Sequence, residues 1–86
     1  MKYKIEEVKA HDPPRPHMTF CLRITWDYRN PERENDQWLT RIEFKDWLQN
    51  QFMLNRGYEY LPFNELFHYV YFSKRDDMML FKLVFG

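Results

Sequence analysis

Three histidines and one thiol, His11, His17, His68 and Cys21, are the side chains of this chain best suited to ligate a metal or attack a substrate. Together they would satisfy a tetrahedral zinc ion. Yet His17 and Cys21 are four residues apart, which on a strand is about 13 Å at roughly 3.3 Å per residue. Nothing in the spacing converges the four. Arg23 shares a strand face with Cys21 and would stabilise a thiolate, but no base adjoins the thiol in sequence. His11, Arg15 and His17 supply an acid, a base and a phosphate-binding cation, the set that a metal-independent nuclease needs. They stand on a proline-rich connector, where such residues are most often simply solvated. Asp76 and Asp77 with Glu65 have the chemistry of a divalent-cation site, although acids after a turn more commonly begin a helix. The expectation is a protein that is not an enzyme, with no catalytic or metal-binding residue and no cofactor. A small nuclease stands as a second alternative.

Composition narrows the field further. The 86 residues carry 13 Lys plus Arg against 13 Asp plus Glu, so neither a basic coat for nucleic acid nor an acidic mimic of a phosphate backbone is expected. Only two glycines are present, Gly57 and Gly86, too few for a phosphate-cradling loop. One cysteine excludes a disulfide framework. Eight phenylalanines, six tyrosines and three tryptophans mean that the core must be built from rings. The apolar runs are far shorter than the roughly 20 residues a membrane span needs. Charges at Lys2, Lys4, Glu6 and Glu7 occupy the place of a signal peptide's apolar stretch, which implies a cytoplasmic protein without membrane contact.

The elements follow from periodicity. Residues 2–9 alternate weakly and predict a short edge strand, followed by a stiff, extended connector at Pro13-Pro14-Arg15-Pro16. That connector also contains the P-x-x-P chemistry read by aromatic grooves. Residues 18–28 alternate cleanly, with Met18, Phe20, Leu22, Ile24, Trp26 and Tyr28 on one face and Cys21, Arg23 and Thr25 on a second face near solvent. Residues 30–36 read as an exposed, mobile loop. Thr40 and Glu43 fit a capping box, with Leu39 and Phe44 as its staple, predicting a main helix over about 41–55 closed by Gly57 in the left-handed conformation. A strand at 58–61 stops at Pro62, a helical turn is expected at 62–66, and a strand at 67–73. Residues 74–85 favour a hairpin turn and strand over a helix that uses Asp76 and Asp77 in its first turn. The sum is one α+β domain over 1–86: an antiparallel sheet of about four to five strands with one main helix packed on one face.

Two kinds of contact surface are expected. For a protein partner, Tyr28, Arg29, Asn30, Glu32, Arg33 and Glu34 are exposed without structural duty. For single-stranded nucleic acid as the alternative, Tyr58, Tyr60, Tyr69 and Tyr71 would stack bases while Arg23 and Lys74 collect phosphates. Oligomeric state is left open.

The C-terminal stretch from Tyr71 to Gly86, with Asp76-Asp77 followed by Phe81-Lys82-Leu83-Val84-Phe85-Gly86, resembles the tails of small early or accessory proteins of tailed bacteriophages. Scarce Ala and Gly with abundant Phe, Tyr and Asn are of the same character. The resemblance implies a stoichiometric inhibitor or modulator that binds a host or defence enzyme, working in the host cytoplasm. No site residue transfers with it.

Overall fold

The computed structural model describes residues 3–26, 33–52 and 57–86, with the backbone alone at 33–36. The elements run β1 (Tyr3–Lys9), β2 (Phe20–Trp26), α1 (Arg33–Gln51), β3 (Tyr58–Pro62), β4 (Phe67–Phe72) and α2 (Arg75–Phe85). The four strands form one antiparallel sheet in the order β1-β2-β4-β3. The α+β class, the antiparallel sheet and the main helix on one face are as the sequence predicts; a second, shorter helix joins the main one.

Alternation places Phe20, Leu22, Ile24 and Trp26 of β2 on the helix side. Val70 and Phe72 of β4, Tyr58 and Tyr60 of β3, and Tyr3 and Ile5 of β1 share that side. From above, Phe44 and Leu48 of α1 and Met78 and Phe81 of α2 close the core, all fully buried. Met78, Phe81 and Phe85 stand at i, i+3 and i+7, which puts one stripe of α2 on the sheet. Its backbone begins at Lys74 with Asp76 and Asp77 in the first turn, where acids complement the helix dipole.

Several expectations are corrected. Residues 74–85 are a helix rather than a hairpin and strand. The near-continuous apolar run hides its period in sequence, and packing of the Met78, Phe81 and Phe85 stripe on β2 and β4 decides it. The main helix begins at Arg33, not near 41, so 33–36 is not a loop. Thr40 is no cap: it is buried, one turn before Phe44 and two before Leu48, on the inward stripe. No Gly or Pro interrupts Arg33 to Gln51, so nothing halts the helix before Thr40. Gly57 does not adopt a positive φ. Its role is close approach, since a Cβ there would lie 2.9 Å from Ser73 Oγ, and its carbonyl accepts from the Ser73 N–H at 3.0 Å. Residues 62–66 form no helical turn; Asn64 Oδ1 accepts from the N–H groups of Leu66 and Phe67, both at 2.8 Å.

The connector is neither straight nor idle. Asp12 turns it with φ 49°, and the Met18 N–H donates to the Arg15 carbonyl at 3.0 Å. This reversal drops Met18 onto the sheet face opposite the helices, against Cys21 and Tyr71. Met18 therefore leaves the Phe20–Trp26 face, and Cys21 is buried rather than near solvent.

The helical register of α2 is directly testable. On a strand, residues 81 and 83 would share a face, whereas here Phe81 is fully buried and Leu83 is 81% exposed. Phe81→Ala is expected to cost about 3–5 kcal/mol in urea unfolding, and Leu83→Ala no more than about 0.5 kcal/mol. Equal losses would contradict the helix.

Candidate functional site

The sheet's second face carries Lys4, Glu6 and Val8 of β1, Arg23 and Thr25 of β2, Phe67, Tyr69 and Tyr71 of β4, and Glu59 and Leu61 of β3, because the pleat sends alternate side chains to opposite sides. The connector covers one end of this face. Met18, Cys21 and Tyr71 form a small second core there, with Val8, Ala10 and Tyr69 packed around it. Tyr71 Oη donates to the His11 carbonyl at 3.4 Å and ties the connector down.

Beyond the covered end lies a groove of about 530 Å³ between the connector and the β3–β4 hairpin. Leu61, Pro62, Phe63, Tyr69 and Tyr71 make its apolar wall, and Lys9, His11 and Asp12 line its polar end. Phe63 is 73% exposed and meets Tyr69 edge-on at 6.0 Å between centroids. Tyr69 in turn tilts against Tyr71. Arg23 lies over the Phe67 ring at 5.2 Å and donates to Glu6 Oε2 at 3.4 Å. A concave apolar wall with a few polar atoms at one end suits an apolar side chain whose backbone is oriented by those atoms.

The sequence-derived site residues scatter. Arg23, Tyr69 and Tyr71 come together on the second face, and Tyr71 is largely covered. Tyr58 and Tyr60 point the other way, into the helix-side core, and Lys74 caps α2, so the six do not form one platform. Tyr28, Arg29, Asn30 and Glu32 lie outside the described residues. Arg33 and Glu34 are backbone positions in the first turn of α1. His11 and His17 are exposed on the connector, Cys21 is buried beneath it, and His68 is on the opposite sheet face, so the four possible zinc ligands are divided. Asp76 and Glu65 sit at opposite ends of β4. Among the described residues no group of three or more His, Cys, Asp or Glu is placed to hold a metal ion, and no helix is long and apolar enough to cross a membrane. Leu61 and Phe63 were invisible as site residues in sequence: Leu61 ends the short strand read at 58–61, and Phe63 follows Pro62, past any period that assigns a face.

His68 belongs to a buried polar cluster. It is 2% exposed, its Nδ1 lies 2.7 Å from Tyr60 Oη, and its Nε2 is 3.5 Å from the Gln37 amide nitrogen. Trp26 packs edge-on against the imidazole. Burial, then the Arg41 and Lys45 charges, lower its pKa to about 4, with the Asn64 backbone partly opposing them. Burial likewise raises the Tyr60 phenol, against the pull of Arg41. The Trp26 indole N–H and Arg41 Nε are buried without acceptors. A neutral imidazole held in place by a phenol and an amide is a structural group here. The Cys21 thiol is pushed up to about 11 by burial, with Tyr71 pulling the other way, which removes the thiolate a nucleophile needs.

No family model matches this chain, and neither a curated protein nor a solved structure shows significant similarity to it.

Two outcomes follow from the buried groups. The folded state favours neutral His68, so its contribution is complete above the unfolded-state pKa near 6.5 and is lost as pH falls through that window to about 4. Relative to His68→Gln, the protein is expected to lose roughly 3 kcal/mol more between pH 7 and pH 4 in urea titrations. Parallel pH profiles would remove the assignment. Cys21 in the folded protein is expected to react with a thiol reagent at pH 8 at least about a hundredfold more slowly than in urea.

Proposed function

We propose that this protein is a small non-catalytic protein-binding module, a stoichiometric inhibitor or modulator that covers a functional surface of its partner. The observation that carries this reading is the groove: Phe63 and Leu61 are held exposed beside Tyr69, on a face whose other end is sealed. Exposed rings of this kind cost solubility, and aromatic side chains at the centre of an interface dominate binding energy. The rim carries both signs of charge, Lys9 and Asp12 at the groove and Arg23 with Glu6 beside it, which suits a protein surface better than a phosphate backbone. The second reading, single-stranded nucleic acid, keeps Arg23 and Tyr69 but has Tyr58 and Tyr60 in the core.

A photoreactive benzoylphenylalanine at position 63 tests this in lysate of the native host. One dominant protein adduct that survives nuclease treatment is expected, and Tyr69→Ser should cut its yield about ten- to thirtyfold while the thermal midpoint moves by only a few degrees. Adducts to nucleic acid, or adducts abolished by nuclease, would put the second reading first.

A further inference from the structure

We infer that two copies of this chain pair strand β1 with β1, antiparallel about Ile5, into one eight-stranded sheet.

The backbone sets the geometry. The Trp26 N–H donates to the Leu66 carbonyl, so even-numbered residues of β2 bond towards β4 and its odd-numbered residues bond towards β1. Their partners on β1 are Lys4, Glu6 and Val8. The N–H and C=O groups of Tyr3, Ile5, Glu7 and Lys9 therefore point out of the sheet edge, and no described residue bonds them. The other edge is guarded differently. On β3 the outward positions are Tyr58, Tyr60 and Pro62, and Pro62 has no N–H to offer.

The side chains select the occupant. A two-fold axis through Ile5 sets Ile5 opposite Ile5, Tyr3 opposite Glu7 and, twice over, Lys4 opposite Glu6 of the second copy. Other centres lose this match. An axis at Glu6 opposes two glutamates, and one at Lys4 opposes two lysines, each destabilising across a sheet. Lys4 and Glu6 pair within the chain at 3.4 Å, and the two-fold axis at Ile5 sets each also opposite its complement on the second copy.

The flanking helix adds apolar surface on the same side. Arg75 Nη1 donates to Glu7 Oε1 at 3.3 Å, and Tyr3 Oη donates to the Phe85 carbonyl at 2.8 Å, so side chains link the two ends of α2 to the two ends of β1. Met79 and Leu83 follow Arg75 at one-turn intervals, on the flank that Arg75 turns towards the edge. They are 42% and 81% exposed, and a second copy would bring its own α2 beside them.

Sedimentation equilibrium tests the inference with charge variants that leave the fold's core untouched. The wild type is expected to show a monomer–dimer equilibrium at micromolar to millimolar concentration, weakened by salt. Lys4→Glu, at a side chain 73% exposed, should raise the dimer dissociation constant about tenfold or more by opposing like charges at both pairs. Glu6→Lys should do the same. An equimolar mixture of the two variants restores Lys opposite Glu at every pair and should form a heterodimer at least as tight as the wild type. A wild type monomeric throughout this range, a dimer indifferent to Lys4→Glu, or variants that fail to complement each other would each overturn the inference. The groove reading stands or falls separately, by the crosslink at position 63.

Discussion

Phe44 is the contact on which the packing of the remaining elements turns. Its ring, fully buried on α1, lies 5.3 Å from Tyr3 of β1, 6.1 Å from Trp26 of β2 and 6.4 Å from Tyr60 of β3. It also lies 5.3 Å from Phe81 and 4.8 Å from Phe85 of α2. Three strands and both helices therefore meet at one side chain. A chain this short buries only a modest fraction of its surface, and rings supply the most area per residue. Edge-to-face contacts add about 0.5–1.5 kcal/mol each beyond area alone. The arrangement consumes most of the aromatic supply. Trp26, Trp47, Tyr58 and Tyr60 all turn inward to it or to its neighbours. Exposed rings on the sheet's second face are correspondingly few, which is why Phe63 stands out.

The sequence discloses elements whose period is unshared with anything else. Leu22, Ile24 and Trp26 alternate with polar residues, so β2 was legible, and with it the half-buried sheet. Elements whose residues suit two periods were not. From Asp77 to Phe85 nearly every residue is apolar, and both a strand and a helix can bury a subset; packing on β2 and β4 decides between them. Thr40 shows a different failure. Its spacing to Glu43 satisfies a capping box, but its spacing of four and eight to Phe44 and Leu48 places it on an inward helical stripe, and burial wins over the local cap. Met18 continues the alternation of β2 in sequence, yet the turn from Arg15 to Met18 precedes the strand and resets the face. For the candidate site, Tyr69 and Arg23 were legible from strand parity, while Tyr58 and Tyr60 required the register of β3 against β4.

Burial of polar groups divides this molecule as clearly as burial of rings. The helix-side core admits His68, Tyr60 and Gln37 only as a mutually bonded set, with the imidazole neutral. The second face buries a thiol and a phenol beneath the connector in the same manner. His68 and Cys21 are thus held in neutral forms that their surroundings stabilise, whereas His11 and His17 stay exposed on the connector.

The two surfaces proposed above for recognition occupy different parts of the sheet. The groove's apolar wall lies against β3 and β4 and its polar end reaches Lys9 of β1, whereas the pairing proposed for the open edge centres on Ile5 of β1. Pairing about a two-fold axis normal to the sheet would keep both second faces on the same side, so each dimer would present two grooves in parallel. A partner with repeated binding segments, or one that is itself a dimer, would then be held by both, the second contact forming at an effective concentration far above that of free protein. On the proposed reading, modest affinity at a single groove would suffice for tight binding, because the sheet edge rather than a larger interface would supply the gain.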